Sequence, residues 1–172
     1  VNVQLMLGSA MEDPNNLLMQ AADGTLYEAG ESAGIALMHR GRGGAIADLS
    51  LDGLLDLAVV NRQSTVEVFQ NVTQDAGNWL AIKLGQAGAN RAVIDAWIEV
   101  KVGRRMFARE LMVGGGHAGG QITTEHFGLG WAQSAQMRVF WPDQTVSNWA
   151  TTGVGKAVLV SRNATDLVLT DY

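Results

Sequence analysis

The sequence predicts an all-β, mostly antiparallel fold, and three observations carry the prediction. The apolar segments are short, rich in Val, Ile, Leu and Trp, and bounded by Gly, Asn and Asp. Several alternate with the period of two that turns one face of a strand toward a core. No stretch carries a sustained 3.6-residue apolar stripe bounded by caps, and the 21 glycines fit a fold with many turns. Regular short strands with turn signals between them point to a sandwich, a barrel or a propeller.

The strands follow in order along the chain. Asn16–Gln20 and Thr25–Ala29 flank Asp23-Gly24, a tight hairpin signal. Gly44–Asp48 and Leu55–Asn61 flank an acidic stretch, and Thr65–Asn71 comes next. Trp79–Leu84, Ala96–Val102, Arg105–Val113, Met137–Trp141, Ala157–Ser161 and Leu167–Leu169 complete the set. Within Ala96–Val102, the side chains of Ile98, Val100 and Val102 share one face, and Glu99 and Lys101 share the other. Ile35–Gly41 leaves room for one or two helical turns at most.

The composition shifts at Gln74–Asn78. Before it the pattern is strand, Asp/Gly loop, strand; after it the strands lengthen and the loops become glycine clusters. The domain boundary is placed there, with residues 1–75 as a repeat-like region and 76–172 as a second β domain. Asn16–Gln20 weakly echoes Thr65–Asn71, and one such unit cannot bury both of its faces alone.

The 172 residues suffice for one large or two small domains. A chain 47% hydrophobic and 17% charged is able to bury a core. The net charge of -5 argues against a nucleic-acid partner, which wants a basic face, and is compatible with a bound cation. Without cysteine, disulfides and Cys-ligated zinc are excluded. No apolar run approaches the ~18 residues of a membrane span. The opening Val1-Asn-Val-Gln lacks a basic leader segment and an initiator Met, and reads as a fragment or a processed product.

The strongest candidate site is Asp48-Leu-Ser-Leu-Asp-Gly-Leu-Leu-Asp56. Oxygen side chains fall at positions 1, 3, 5 and 9, with Gly53 at position 6. Calcium takes about six to eight oxygens in a flexible shell, and alternate residues of a tight loop point inward together. The expected ligands are Asp48, Ser50, Asp52, the Leu54 carbonyl and Asp56. An EF-hand would place Glu at position 12, where Val59 stands, and would have helical flanks. The same residues would also make an Asx-rich turn capping two strands.

Other motifs carry less. Gly30-Glu-Ser-Ala-Gly34 matches the G-x-S-x-G nucleophile elbow, with Ser32 as nucleophile and His39 nearby in sequence, but the long helix that motif needs does not follow. Gly114, Gly116 and Gly119 satisfy G-x-G-x-x-G, yet neither a following helix nor an acid at the required distance is present. His117 in that cluster is a candidate contact with a ligand or partner. His39, His117 and His126 lack zinc spacing, and His126, beside Phe127, is expected to pack. Trp79, Trp97 and Trp141 are assigned to the core by default, with Trp131 and Trp149 as the surface exceptions.

Gly41–Asn61, with its acidic loop, resembles an FG-GAP (VCBS-type) repeat. That resemblance implies a propeller blade with calcium held between its first two strands by the ligands named above; Ser50 departs from the family's usual Asp or Asn. Asn78-Trp-Leu, Asn90-Arg91 with Ile94 and Ala96, Gly114–Gln121, His126-Phe-Gly-Leu-Gly130 and Val139-Phe-Trp-Pro-Asp143 resemble the ASPIC/UnbV domain. The order of the two is that of cartilage-acidic-protein-like proteins. It implies a partial β-propeller or β-meander followed by a β-sandwich-like domain, in a secreted, periplasmic or cell-surface setting. The implied function is non-enzymatic: calcium-supported binding or scaffolding, toward a protein or glycan partner, with further blades or another subunit beside the first part. An accessory subunit of a larger assembly is the alternative, and a hydrolase built on Ser32 the remote one.

Overall fold

A computed structural model describes residues 13–21, 23–114, 120 and 124–172. The described residues are strand, turn and loop, with no helix among them. They divide into two compact units. One holds the described residues up to Ala47 together with Leu55–Asn71; the other holds Asp48–Leu54 and the described residues from Val72 onward.

In the first unit, β1 (Asp13–Pro14) pairs with β4 (Met38–His39), and β2 (Leu18–Gln20) pairs with β3 (Leu26–Glu28). The β2–β3 connection is closed by Gly24, at φ +89°, and by the Asp23 carboxylate, which accepts the Thr25 amide and hydroxyl. β5 (Gly41–Ala47), β6 (Asp56–Asn61) and β7 (Glu67–Phe69) form an antiparallel meander, with a bulge between Gly41 and Gly43. Little of this unit is buried: among its described apolar residues only Ala29, Ile35 and Val59 are. Leu18, Leu26, Val66 and Val68 each keep about 60% of their surface exposed.

The second unit is a sandwich of two four-stranded sheets. One runs β11-β8-β14-β15 (Thr124–Gly130, Asn78–Leu84, Lys156–Asn163, Asp166–Asp171). The other runs β10-β9-β12-β13 (Arg105–Glu110, Trp97–Val102, Ser134–Phe140, Ala150–Gly153). The pairings are antiparallel except β14 on β8. Strict alternation builds the core. Leu80, Ile82 and Leu84 alternate along β8, Ile98 and Val100 along β9, Ala135, Met137 and Val139 along β12, and Val158 and Val160 along β14. All belong to one buried cluster, with Phe127 and Leu129 of β11. Phe107 meets Phe127 edge-on across the two sheets, at 6.5 Å between ring centres.

The structure corrects the predicted elements in several places. β1, β4, β11 and β13 are strands that the apolar pattern did not mark. β11 was hidden by Gly128 and Gly130, which lie on its outer face, where Gly128 pairs with Trp79. The segment assigned to Arg105–Val113 ends at Glu110, although Leu111 still exchanges backbone bonds with Asp95 and Ala96. Ile35–Gly41 contains no helical turn; its chain runs straight into β4 and β5.

Candidate functional site

The acidic loop is a turn held by its own backbone. One Asp48 carboxylate oxygen accepts the Asp52 amide at 3.1 Å, and the other accepts the Gly53 amide at 2.9 Å. The Asp52 carboxylate accepts the Leu54 amide at 2.9 Å. Leu51, at φ +61°, and Gly53, at φ +88°, reverse the chain. Ser50 is exposed at the tip. Asp56 belongs to the first unit, where it is buried and accepts the Asn71 amide at 2.8 Å, while the Asn71 side chain donates to the Leu55 carbonyl. Among the described residues, no three His, Asp or Glu side chains gather into a group that could hold a metal.

The loop is anchored on the outer face of β8 and β11. The Gly53 carbonyl lies 2.9 Å from His126 Nε2. A carbonyl only accepts, so that nitrogen carries the proton. The imidazole stacks on the Trp79 indole at 5.6 Å and 13°. A Cβ at Gly53 would overlap the same indole, so glycine is required there twice over. Burial pushes the His126 pKa down, partly opposed by its bond to Gly53 and by the Asp48 charge. His126 is thus a packed, satisfied imidazole, as its neighbour Phe127 led one to expect.

The remaining candidates do not converge. Ser32 Oγ donates to the Ala29 carbonyl at 3.0 Å, inside a tight turn, and His39 Nε2 lies 3.1 Å from Glu67. Gly114 and Gly120 face each other across an antiparallel bridge, while His117 and Gly115–Gly119 lie outside the described residues. Of the tryptophans, Trp141 is buried, and Trp131 and Trp149 are exposed. Trp97 is also exposed, against expectation, because it alternates with Ile98 and so faces outward from β9.

That indole lines a pocket which the motifs did not mark. Trp97, Ala108, Arg109, Glu110, Met112, Gly114 and Glu125 surround it, at the end of the β10 edge. Glu110 pairs directly with Trp97 across β9 and β10. Arg109 lies 5.9 Å from the centre of the Phe127 ring. Burial raises the Glu125 carboxyl above its ordinary range, and the Arg109 charge opposes that rise. The available signal was the alternation of β9: a core face through Ile98 and Val100 sends Trp97 outward.

The family model for ASPIC and UnbV matches residues 85–166. This part of the chain is therefore similar to ASPIC and UnbV domains. None of the curated proteins compared with the chain matches it. Inside the ASPIC and UnbV match, the motif residues hold loops in place. The Asn90 side chain bonds both the amide and the carbonyl of Ile94, at 2.9 Å each, bracketing a turn in which Val93 and Asp95 have positive φ. Asp143 accepts the Thr145 hydroxyl at 2.6 Å and pairs with Arg162 at 2.7 Å, while that guanidinium lies over the Trp141 ring at 5.0 Å. These contacts draw the Asp143 carboxyl down to about 2. Among the described residues, no helix is long and apolar enough to cross a membrane.

Proposed function

We propose that the chain is a non-enzymatic binding or scaffolding module of a secreted, periplasmic or cell-surface protein, with an acidic loop that serves structure rather than catalysis. The observation that carries this reading is the clasp of His126 and Trp79 on Gly53, which ties the loop to the sandwich. The contacts of Ser32 with Ala29, and of His39 with Glu67, support a structural role for both. The ASPIC and UnbV match at residues 85–166 agrees with the ASPIC/UnbV resemblance read from the second part of the sequence.

Calcium is the cation that the oxygen inventory of Asp48, Ser50, Asp52, the Leu54 carbonyl and Asp56 supports, in the manner of an FG-GAP blade. Its role would be to rigidify the loop, so that stability follows calcium concentration. Chelation is expected to lower the Tm, and added calcium to restore it. A Tm indifferent to both would remove calcium from this reading. A second reading, a metal-free Asx turn, is favoured by the Asp48 and Asp52 carboxylates, which already accept the amides of the turn.

The exposed strand faces of the first unit support a covering partner, either further blades of the same kind or another subunit. The mass in solution, followed against concentration, tests this part.

A further inference from the structure

We propose that Asn163, at the tip of the β14–β15 hairpin, is a site of N-linked glycosylation, and that Asn71 is not. The inference rests on the secreted or cell-surface setting proposed above, because this modification belongs to exported chains. It shares no residue with the acidic loop. Two triplets of the chain carry the acceptor pattern Asn-X-Ser/Thr: Asn71-Val-Thr73 and Asn163-Ala-Thr165. The pattern treats them alike, and the fold separates them.

Register pairs Asn163 with Asp166, so Ala164 and Thr165 form a two-residue turn, with Ala164 at φ +53°. Alternation along β14 buries Val158 and Val160 in the core and puts Leu159, Ser161 and Asn163 on the outer face. Asn163, Ala164 and Thr165 are all exposed. Among the described residues, no hydrogen bond holds the Asn163 side chain. The Thr165 hydroxyl oxygen accepts a long bond from Asn148 Nδ2, at 3.4 Å, which leaves its own proton free to donate. Asn71 differs on each count. It is half-buried, its side-chain amide donates to the Leu55 carbonyl at 3.2 Å, and its backbone amide donates to the buried Asp56 carboxylate at 2.8 Å. The bulk of a sugar on Asn71 Nδ2 would displace the contact that holds Leu55 and Asp56.

The donor is an oligosaccharide linked to a lipid through a diphosphate, handled by an oligosaccharyltransferase. Asn163 Nδ2 attacks the anomeric carbon, forming the N–C bond. The bond from that carbon to the diphosphate oxygen breaks, and the lipid diphosphate leaves with the electron pair. Nδ2 gives up one of its two protons, and nothing is oxidised or reduced.

The test directs the whole chain into the secretory pathway of a eukaryotic cell with an added leader, so native location is not a variable. That location is read separately, by fractionating the source cells, and the two readings fail apart. The chain from the medium and from microsomes is treated with peptide N-glycosidase in heavy-oxygen water and mapped by mass, which marks each formerly glycosylated Asn. The heavy label is expected at Asn163, and the intact mass is expected to exceed that of the bare chain by one glycan. Asn163→Gln and Thr165→Ala are each expected to remove that mass, and Thr165→Ser to keep it. The mapping of the parent chain needs no variant and reads microsomal chain even where secretion fails. An unlabelled Asn163 in a chain whose leader has been cleaved overturns the proposal. So does a glycan on Asn71 in the folded, secreted chain.

Discussion

Gly53 combines two demands that no other residue meets: a φ of +88° and a Cα pressed against the Trp79 indole. A left-handed conformation alone costs a non-glycine residue about 1–3 kcal/mol. Overlap with the indole adds to that, since Trp79 is itself fixed by its stack on His126. Gly53→Ala is expected to destabilise the sandwich by about 2 kcal/mol or more, read as a lower midpoint in denaturant. Gly34, at φ +74°, has open space where a Cβ would stand, so Gly34→Ala would show only the backbone part of the cost. Asp143 gives a pH signature at the same scale. Its carboxyl is held at about 2 by the Thr145 hydroxyl and by Arg162, against 3.8 ordinarily. The unfolded chain therefore binds the proton first. The stabilisation is complete above pH 3.8 and is lost as the pH falls toward about 2. Asp143→Asn is expected to flatten the stability profile in that window; an unchanged acid slope would deny the contacts their role.

At the scale of an element, β9 separates core from surface most cleanly. Ile98 and Val100 are fully buried, while Lys101 is exposed and the Glu99 carboxylate meets Arg138 at 2.6 Å. Ile98→Ala is expected to cost about 2–5 kcal/mol, because the cavity lies in a cluster with contributions from both sheets. Lys101→Ala is expected to stay within about 0.5 kcal/mol of the parent. Equal effects, measured by denaturant unfolding, would mean that the two faces are not distinguished as described. The outer face of this sheet is ordered as well. Arg138 lies over Phe140 at 4.9 Å and over Trp149 at 4.6 Å, so an exposed indole is held by a neighbour whose own charge is paired. β11 shows a different case, a strand whose outer-face glycines, Gly128 and Gly130, have open space where a Cβ would stand.

At the scale of the molecule, burial is divided unequally between the two units. The sandwich contains the contiguous apolar cluster. The first unit presents strands with Leu18, Leu26, Val66 and Val68 largely exposed. Small sheets of this kind gain little from burial by themselves, and uncovered strand edges pair with other β structure. The mass measured by light scattering is expected to rise with concentration, through association of the first unit. A constant monomer mass across the range would instead describe a module complete without a partner.

What the sequence determined by itself was the period. Alternation in segments such as Trp97–Val102 required strands and identified Ile98 and Val100 as core, because a strand has only two faces. The Asp48–Asp56 spacing identified a turn rich in oxygen donors, because local side chain–backbone bonds need only local sequence. Tertiary structure decided which groups meet. It placed His126 and Trp79, 73 residues from Gly53 in the case of the imidazole, on the acidic loop. It also brought Trp97, Arg109 and Glu125, from three different strands, to one pocket. Neither meeting is encoded in spacing along the chain; both follow from strand order and register, which are set by how two sheets bury one core.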